Sequence, residues 1–285
     1  MKHILACIDN SQGAAGVCDA AAWVSQQVKR PLLLLHVLDQ LSYPAQTDLS
    51  EQLSLDSRTQ LMEQLADLDA QRSRLALEQG QLQLDAAKQR VTDRGVEQVE
   101  TLQRHGHFLQ TLIDLQADTR ILVMGRQGEA HQEAFKGIGS HLESVIRALS
   151  CRILVTPLHF QPPRQVLLAW DASPTANKVL DIIARSPLCK GLPIHLLMVG
   201  ENSLNNRQAM LDTANQLERE GHLPVTTHIQ GGEVEATLLR YQQQHQLDMI
   251  IMGAYGHTRI RQFLVGSTTT NLLHKARVPL LLMRQ

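Results

Sequence analysis

The stretch GAYGHTRIRQFLVGSTTT, which opens at Gly253, carries the densest chemistry in the chain. Gly253 and Gly256 bracket Ala254 and Tyr255, a nine-residue spacer follows, and Gly266 leads into Ser267 and Thr268. Glycine tolerates positive φ and lets a ligand approach the main chain closely. The free amides of a helix start carry partial positive charge and accept anions. Each such interaction is worth roughly 0.3–1 kcal/mol when exposed and up to about 2 when partly buried. His257, Arg259 and Arg261 add donors, and no acid lies between Gly256 and Gly266. A turn followed by a helix cap would explain any one of these glycines. The full set, repeated within one sheet pattern, reads as a cradle for a polyphosphate. It is neither GxxxxGK[ST] nor GxGxxG, so the P-loop and dinucleotide fingerprints do not apply.

A degraded copy, GRQGEAHQEAFKGIGS, starts at Gly125. Ten residues, not nine, separate Gly128 from Gly139, and Ser140 follows. Glu129 stands where the other copy has His257, and Glu133 lies in the same spacer, countered only by Arg126 and Lys136. At about 5 Å and an effective dielectric near 20, each carboxylate would oppose a phosphate chain by on the order of a few kcal/mol before screening. The first copy is therefore expected to hold no nucleotide, with a less anionic ligand left open.

Other candidates are weaker. Ser11 and Ser173 follow Asp9 and Asp171 after apolar runs, but no His is placed as a partner base, so no nucleophile and no catalytic residue is assigned. His105-Gly106-His107 resembles a short metal pair, yet it stands where the second half has the plain turn Gln230-Gly231-Gly232. Cys7, Cys18, Cys151 and Cys189 are scattered without zinc spacing. No metal site is expected, and the thiols fit a reducing cytoplasm.

The elements that must position these groups come in two sets. KHILACIDNS at 2–11 matches RQVLLAWDAS at 164–173, RPLLLLHVLD matches LPIHLLMVGE, and RILVMGRQG matches MIIMGAYG. Each half reads strand, helix, strand, helix, strand, helix, strand. Short runs at Val99–Gln103 and Val225–Ile229 supply a fifth strand. The strands are continuous apolar runs, as in a parallel sheet covered on both faces. The fold class is thus α/β, two repeated doubly wound domains, each a mostly parallel five-stranded sheet flanked by helices. The Pro pair in LHFQPPR divides residues 1–160 from 161–285. The first half also carries a long insertion, about 48–95, rich in helix formers with leucines at three- and four-residue spacings. One or two amphipathic helices are expected there, with Gly80 a natural break and the leucine stripe packed on its own domain.

Composition bounds what remains. The 285 residues suit two domains, and 43% apolar content is that of a globular protein. Aromatic content of 3% argues against a stacking platform for single-stranded nucleic acid, and a net charge of −1 gives no field favouring DNA or an anionic membrane. No apolar run reaches transmembrane length and the start lacks a signal-like pattern, so a cytoplasmic location is expected.

On these motifs the chain resembles a tandem member of the universal stress protein family across its whole length. The resemblance implies a fold of the adenine nucleotide alpha hydrolase-like kind and, for the GAYG, nine residues, GS pattern, binding of ATP with or without Mg2+. It implies that Asp171, Ala172, Ser173 and Val199 contact adenine and ribose, and that Met252 and Gly253 line the base or sugar. Tyr255 sits within that motif, while Gly256, His257, Gly266, Ser267 and Thr268 would wrap the phosphates. The degenerate counterpart would be Asp9, Val37, Met124, Gly125, Gly128, Glu129, Gly139 and Ser140. The family pairs domains through their last strands, so CRILVTP and VPLLLMR are expected to form an internal pseudo-dimer, with a homodimer left open. The implied role is a stress-response regulator with little or no turnover and with protein partners not named by the sequence. Two alternatives stand beside it: a slow ATPase, and a nucleotide-independent scaffold acting through the insertion.

Overall fold

The computed structural model describes residues 2–38, 55–126, 140–253 and 267–283. The first half runs β1 (His3–Cys7), α1 (Ala14–Val28), β2 (Leu32–Leu38), α2 (Leu55–Asp93), β3 (Val99–His105), α3 (Phe108–Leu115), β4 (Thr119–Gly125), α4 (Ser140–Ala148) and β5 (Arg152–Thr156). The second runs β6 (Val166–Ala169), α5 (Pro174–Ala184), β7 (Ile194–Val199), α6 (Leu204–Gly221), β8 (Val225–Gln230), α7 (Val234–Gln244), β9 (Met249–Gly253), α8 (Ser267–Lys275) and β10 (Leu280–Met283).

All ten strands join one sheet in the order β3-β2-β1-β4-β5-β10-β9-β6-β7-β8. Every pairing is parallel except β5 with β10, which run antiparallel with Val155 opposite Leu280, Leu154 opposite Leu281 and Ile153 opposite Leu282. Each half is therefore a doubly wound unit whose strand order reverses at its first and fourth strands, β1/β4 and β6/β9. The two units meet at their last strands, as the resemblance implied.

Two cores follow from the alternation of strand side chains. One face packs Ile4, Ala6, Leu34, Leu154, Leu168, Leu196 and Leu281 against apolar residues of α1, α2, α5 and α6. The other packs Leu5, Leu35, Leu122, Ile153, Leu167, Ile250 and Leu282 against α3, α4, α7 and α8. Both cores cross the junction between the halves. The helix α1 is buried almost all round, from Gly16 to Ser25, because sheet, α2 and the inter-half linker enclose it. A Cβ at Gly16 would stand 2.6 Å from the Leu158 carbonyl oxygen, so the linker crosses at a position only glycine can fill.

The insertion differs from its expected form. It is one unbroken helix of 39 residues, and Gly80 lies inside it. Glycine is needed there for contact, not for a break: a Cβ would overlap Gln103 and His36. From Gly80 onward the helix docks through Leu84, Ala87 and Val91, each at most 6% exposed. Before it, Leu65, Leu68 and Leu75 stand 42%, 49% and 60% exposed, so much of the stripe faces outward and does not pack on its own half. Buried Asp19 of α1 fastens the docked end. Its Oδ1 accepts from Arg90 Nε and from Arg94 Nε, both at 2.7 Å, and its Oδ2 accepts from Arg90 Nη2 at 2.8 Å. Among the described residues, no helix is long and apolar enough to cross a membrane.

Candidate functional site

In the second half, β9, β6 and β7 lie side by side and parallel, so their carboxyl ends share one sheet edge. Asp171 follows β6 by two residues, Val199 ends β7, and Met252-Gly253 ends β9. Met252 is buried, Val199 and Gly253 are half-buried, and Asp171 is exposed at the edge. The turn after β6 is locally determined. Ala172 takes φ +58°, and the Ser173 amide donates to Asp171 Oδ1 at 3.0 Å. Ser173 then caps α5, its Oγ accepting from the Ala176 amide at 3.1 Å, with Pro174 at the first helical position. One oxygen of Asp171 is thus held by the backbone, while the side chain remains open at the edge. Just before it, Trp170 is buried and donates from Nε1 to Asn177 Oδ1 at 3.0 Å, which pins the turn to α5. Sequence patterning gave Trp170 no role; its place next to Asp171 was the available signal.

Ser267 and Thr268 open α8. The far end of that helix is anchored by Lys275, whose Nζ lies 2.6 Å from the carboxylate of buried Glu235 on α7. The hydrogen bond from Lys275 holds the Glu235 carboxyl below its ordinary range, with Asn271 adding a second donor. Tyr255, Gly256, His257 and Gly266 lie outside the described residues. The geometry therefore brings together Asp171, Ala172, Ser173, Val199, Met252 and Gly253.

The first half repeats the outline with a different turn. Asp9 Oδ1 accepts from the Ser11 amide at 3.1 Å and from Ser11 Oγ at 2.6 Å. Here the helix starts later: Gly13 occupies the cap of α1, and Ser11 is spent on Asp9. Ser11 and Ser173, equivalent in sequence, thus do different work. Val37, Met124 and Gly125 lie at the same edge as Asp9, and buried His36 has its Nδ1 2.9 Å from the Ile8 carbonyl oxygen. Ser140 opens α4, whereas Gly128, Glu129 and Gly139 lie outside the described residues. Arg126, read from sequence as a partial counter-charge to Glu129 and Glu133, which lie outside the described residues, has its Nη2 3.5 Å from the Val278 carbonyl oxygen of the second half. His105-Gly106-His107 forms the turn from β3 to α3, with Gly106 at φ +120°.

The chain matches a family model described as the universal stress protein family twice, over residues 1–157 and 163–284. It is 32% identical over 287 residues to the universal stress protein Slr1230 of Synechocystis sp. (strain ATCC 27184 / PCC 6803 / Kazusa), with 100% of each chain covered. Among solved structures it is similar to a universal stress protein from Archaeoglobus fulgidus DSM 4304, with a TM-score of 0.71, 17% identity, and 99% and 98% of the two chains covered. It is also similar to a putative universal stress protein from Pseudomonas aeruginosa UCBPP-PA14, with a TM-score of 0.64, 15% identity, and 99% and 93% coverage. At such identities the structural likeness is one of fold.

Proposed function

We propose that this chain, which belongs to the universal stress protein family, binds ATP in its second half and acts as a regulator with little or no turnover. The observation that carries the reading is the meeting of Asp171, Val199 and Met252-Gly253 at the carboxyl edge where the strand order reverses. Nucleotides bind in that crevice in open α/β sheets. The exposed Asp171 carboxylate can accept from a ribose hydroxyl or the adenine amine, and Met252 and Val199 offer apolar surface to a base. The phosphates would meet the start of α8 at Ser267 and Thr268, with Gly256, His257 and Gly266 before them, and Mg2+ would arrive with the nucleotide. Asp171 belongs to the base end of this arrangement, and its Oδ1 is already engaged by Ser173, so it is an anchor and not a base for hydrolysis.

Titration calorimetry of the full chain with ATP tests the reading. The expected result is one ATP per chain, with Gly266→Asp abolishing binding and Asp171→Ala weakening it about tenfold, the loss of one good hydrogen bond. No binding by the wild-type chain at millimolar ATP would overturn it. Two ATP per chain would refute a nucleotide-free first half.

A second reading is favoured by the exposed run of α2. Leu68, Leu75 and Leu82 recur at seven-residue spacing, and Leu82 is 70% exposed. In that reading the output is a protein partner held on α2, independent of nucleotide. A Leu68→Glu/Leu75→Glu variant that keeps ATP affinity and loses the cellular partner would support it.

A further inference from the structure

A cavity of about 430 Å3 opens between the halves, at the carboxyl edge of the first half's sheet. Its walls include Gly13 at the cap of α1, Arg126 after β4, Thr156 at the end of β5, Leu158 and His159 of the linker, and Arg277 on the approach to β10. It lies on the β4–β5 side of Asp9, whereas Val37 lies on the β2 side. Two strands set its position. Because β10 runs antiparallel to β5, the turn before β10 meets the residues just after β5 and delivers Arg277 from the second half to the first half's edge.

Among the described residues, this cavity is lined by two guanidinium groups and an imidazole, and by no Asp or Glu. Arg126 is half-buried; its Nε is enclosed without a hydrogen-bond partner, and its Nη2 has only the long contact to Val278. Arg277 has no ion pair among the described residues. Burial draws the Arg126 guanidinium below its ordinary value, the direction expected of a cation without a compensating charge. A buried unpaired cation is costly, and planar guanidinium groups match carboxylate and phosphate oxygens in geometry. The volume is that of a small-molecule site.

We propose that this junction cavity binds a small molecule bearing an oxyanion group, a carboxylate or a phosphate, held between Arg126 of the first half and Arg277 of the second. Occupancy adds a tie between the halves beside the β5–β10 pairing. The inference rests on residues outside the ATP site, so failure of ATP to bind leaves it standing.

The test is thermal unfolding of the full chain at constant ionic strength, titrated separately with inorganic phosphate and with malonate against chloride. Phosphate also stabilises proteins generally by exclusion from their surfaces, so the variants carry the decision. The expected result is a saturable rise in melting temperature in the wild-type chain with at least one of the two anions. Which anion acts at lower concentration tells phosphate from carboxylate. In Arg277→Gln and Arg126→Met the half-effect concentration should rise at least about tenfold, as for loss of one charge-assisted bond. Arg126→Met should also melt no lower than wild type without anion, because it removes an unpaired buried charge. No saturable rise in the wild-type chain overturns the proposal. So does an equal rise in Arg277→Gln, which changes an exposed side chain and decides the matter even if Arg126→Met fails to fold.

Discussion

At the scale of single residues, the second half carries a titratable cluster that the motifs did not reveal. His195 of β7, His228 of β8 and His245 after α7 surround Tyr241, with ring centroids 5.3 Å apart for His195–His245 and 5.7 Å for His228–His245. Burial pushes the Tyr241 phenol up to about 12, so it remains protonated and can donate to His195 Nδ1, 2.9 Å away. Burial first, and then the neighbouring imidazoles, hold His195 below its ordinary value; burial and His245 do the same for His228. In the unfolded chain both return to about 6.5. As pH falls through 6.5 toward the depressed folded values, the unfolded state takes up protons that the folded state refuses. The stability these groups contribute is therefore complete above about pH 6.5 and lost on acidification. Thermal melts between about pH 7.5 and 5.5 should show a smaller fall for His195→Gln/His228→Gln than for the wild-type chain; equal falls would sink the assignment. Gly16 gives a second prediction. Alanine improves helix propensity by about 1 kcal/mol, but its Cβ would meet the Leu158 and Pro157 carbonyl oxygens at 2.6 and 2.7 Å. Overpacking against backbone costs about 1–3 kcal/mol, so Gly16→Ala should destabilise in urea titration despite the propensity gain. A more stable variant would show that the linker yields.

At the scale of elements, α2 is two structures in one helix. Its 39 residues span about 58 Å at 1.5 Å each, and the docked part begins at Gly80. The clamp from Asp19 to Arg90 and Arg94 joins that part to α1, and the carboxylate is the buried member. Asp19→Ala leaves both guanidinium groups half-exposed and free to hydrate, so the cost should be on the order of 2 kcal/mol and not that of a stranded charge. Hydrogen exchange should rise first in the last turns of α2; unchanged protection there would refute the clamp. The exposed part predicts the opposite. Leu68→Glu/Leu75→Glu should change stability by less than about 0.5 kcal/mol per site, as surface substitutions do. These contrasts mark what the sequence made legible. Apolar runs and the repeat were enough for the strands, their parallel arrangement and the edge that holds Asp171, Val199 and Met252. Gly80 was misread because the reason for a glycine there, close contact with His36 and Gln103, depends on strands folded against it. The contact of Arg126 with the second half was hidden for the same kind of reason: Val278 is far along the chain and arrives only through the β5–β10 pairing.

At the scale of the whole molecule, that pairing decides how the two halves behave. Ile153, Leu154, Val155, Leu280, Leu281 and Leu282 are each at most 2% exposed, and they alternate between the two cores that run through both halves. Separating the halves would expose both cores and leave two apolar edge strands unpaired, which is an aggregation hazard as well as a loss of burial. The halves should therefore unfold together, although the repeat suggests two independent domains. The chain contains two tryptophans, Trp23 in α1 of the first half and Trp170 beside Asp171 in the second, so each half carries its own reporter. Trp23→Phe and Trp170→Phe leave one fluorophore apiece. Within each single-tryptophan variant, the urea midpoint by fluorescence should coincide with the midpoint by far-ultraviolet circular dichroism to about 0.2 M, since coincident probes are the mark of one cooperative transition. Leu281→Lys, which puts a charge into the buried seam, should lower both probes together by several kcal/mol. A fluorescence midpoint that departs from the circular-dichroism midpoint in either variant would mean that one half melts first and that the shared sheet does not couple them.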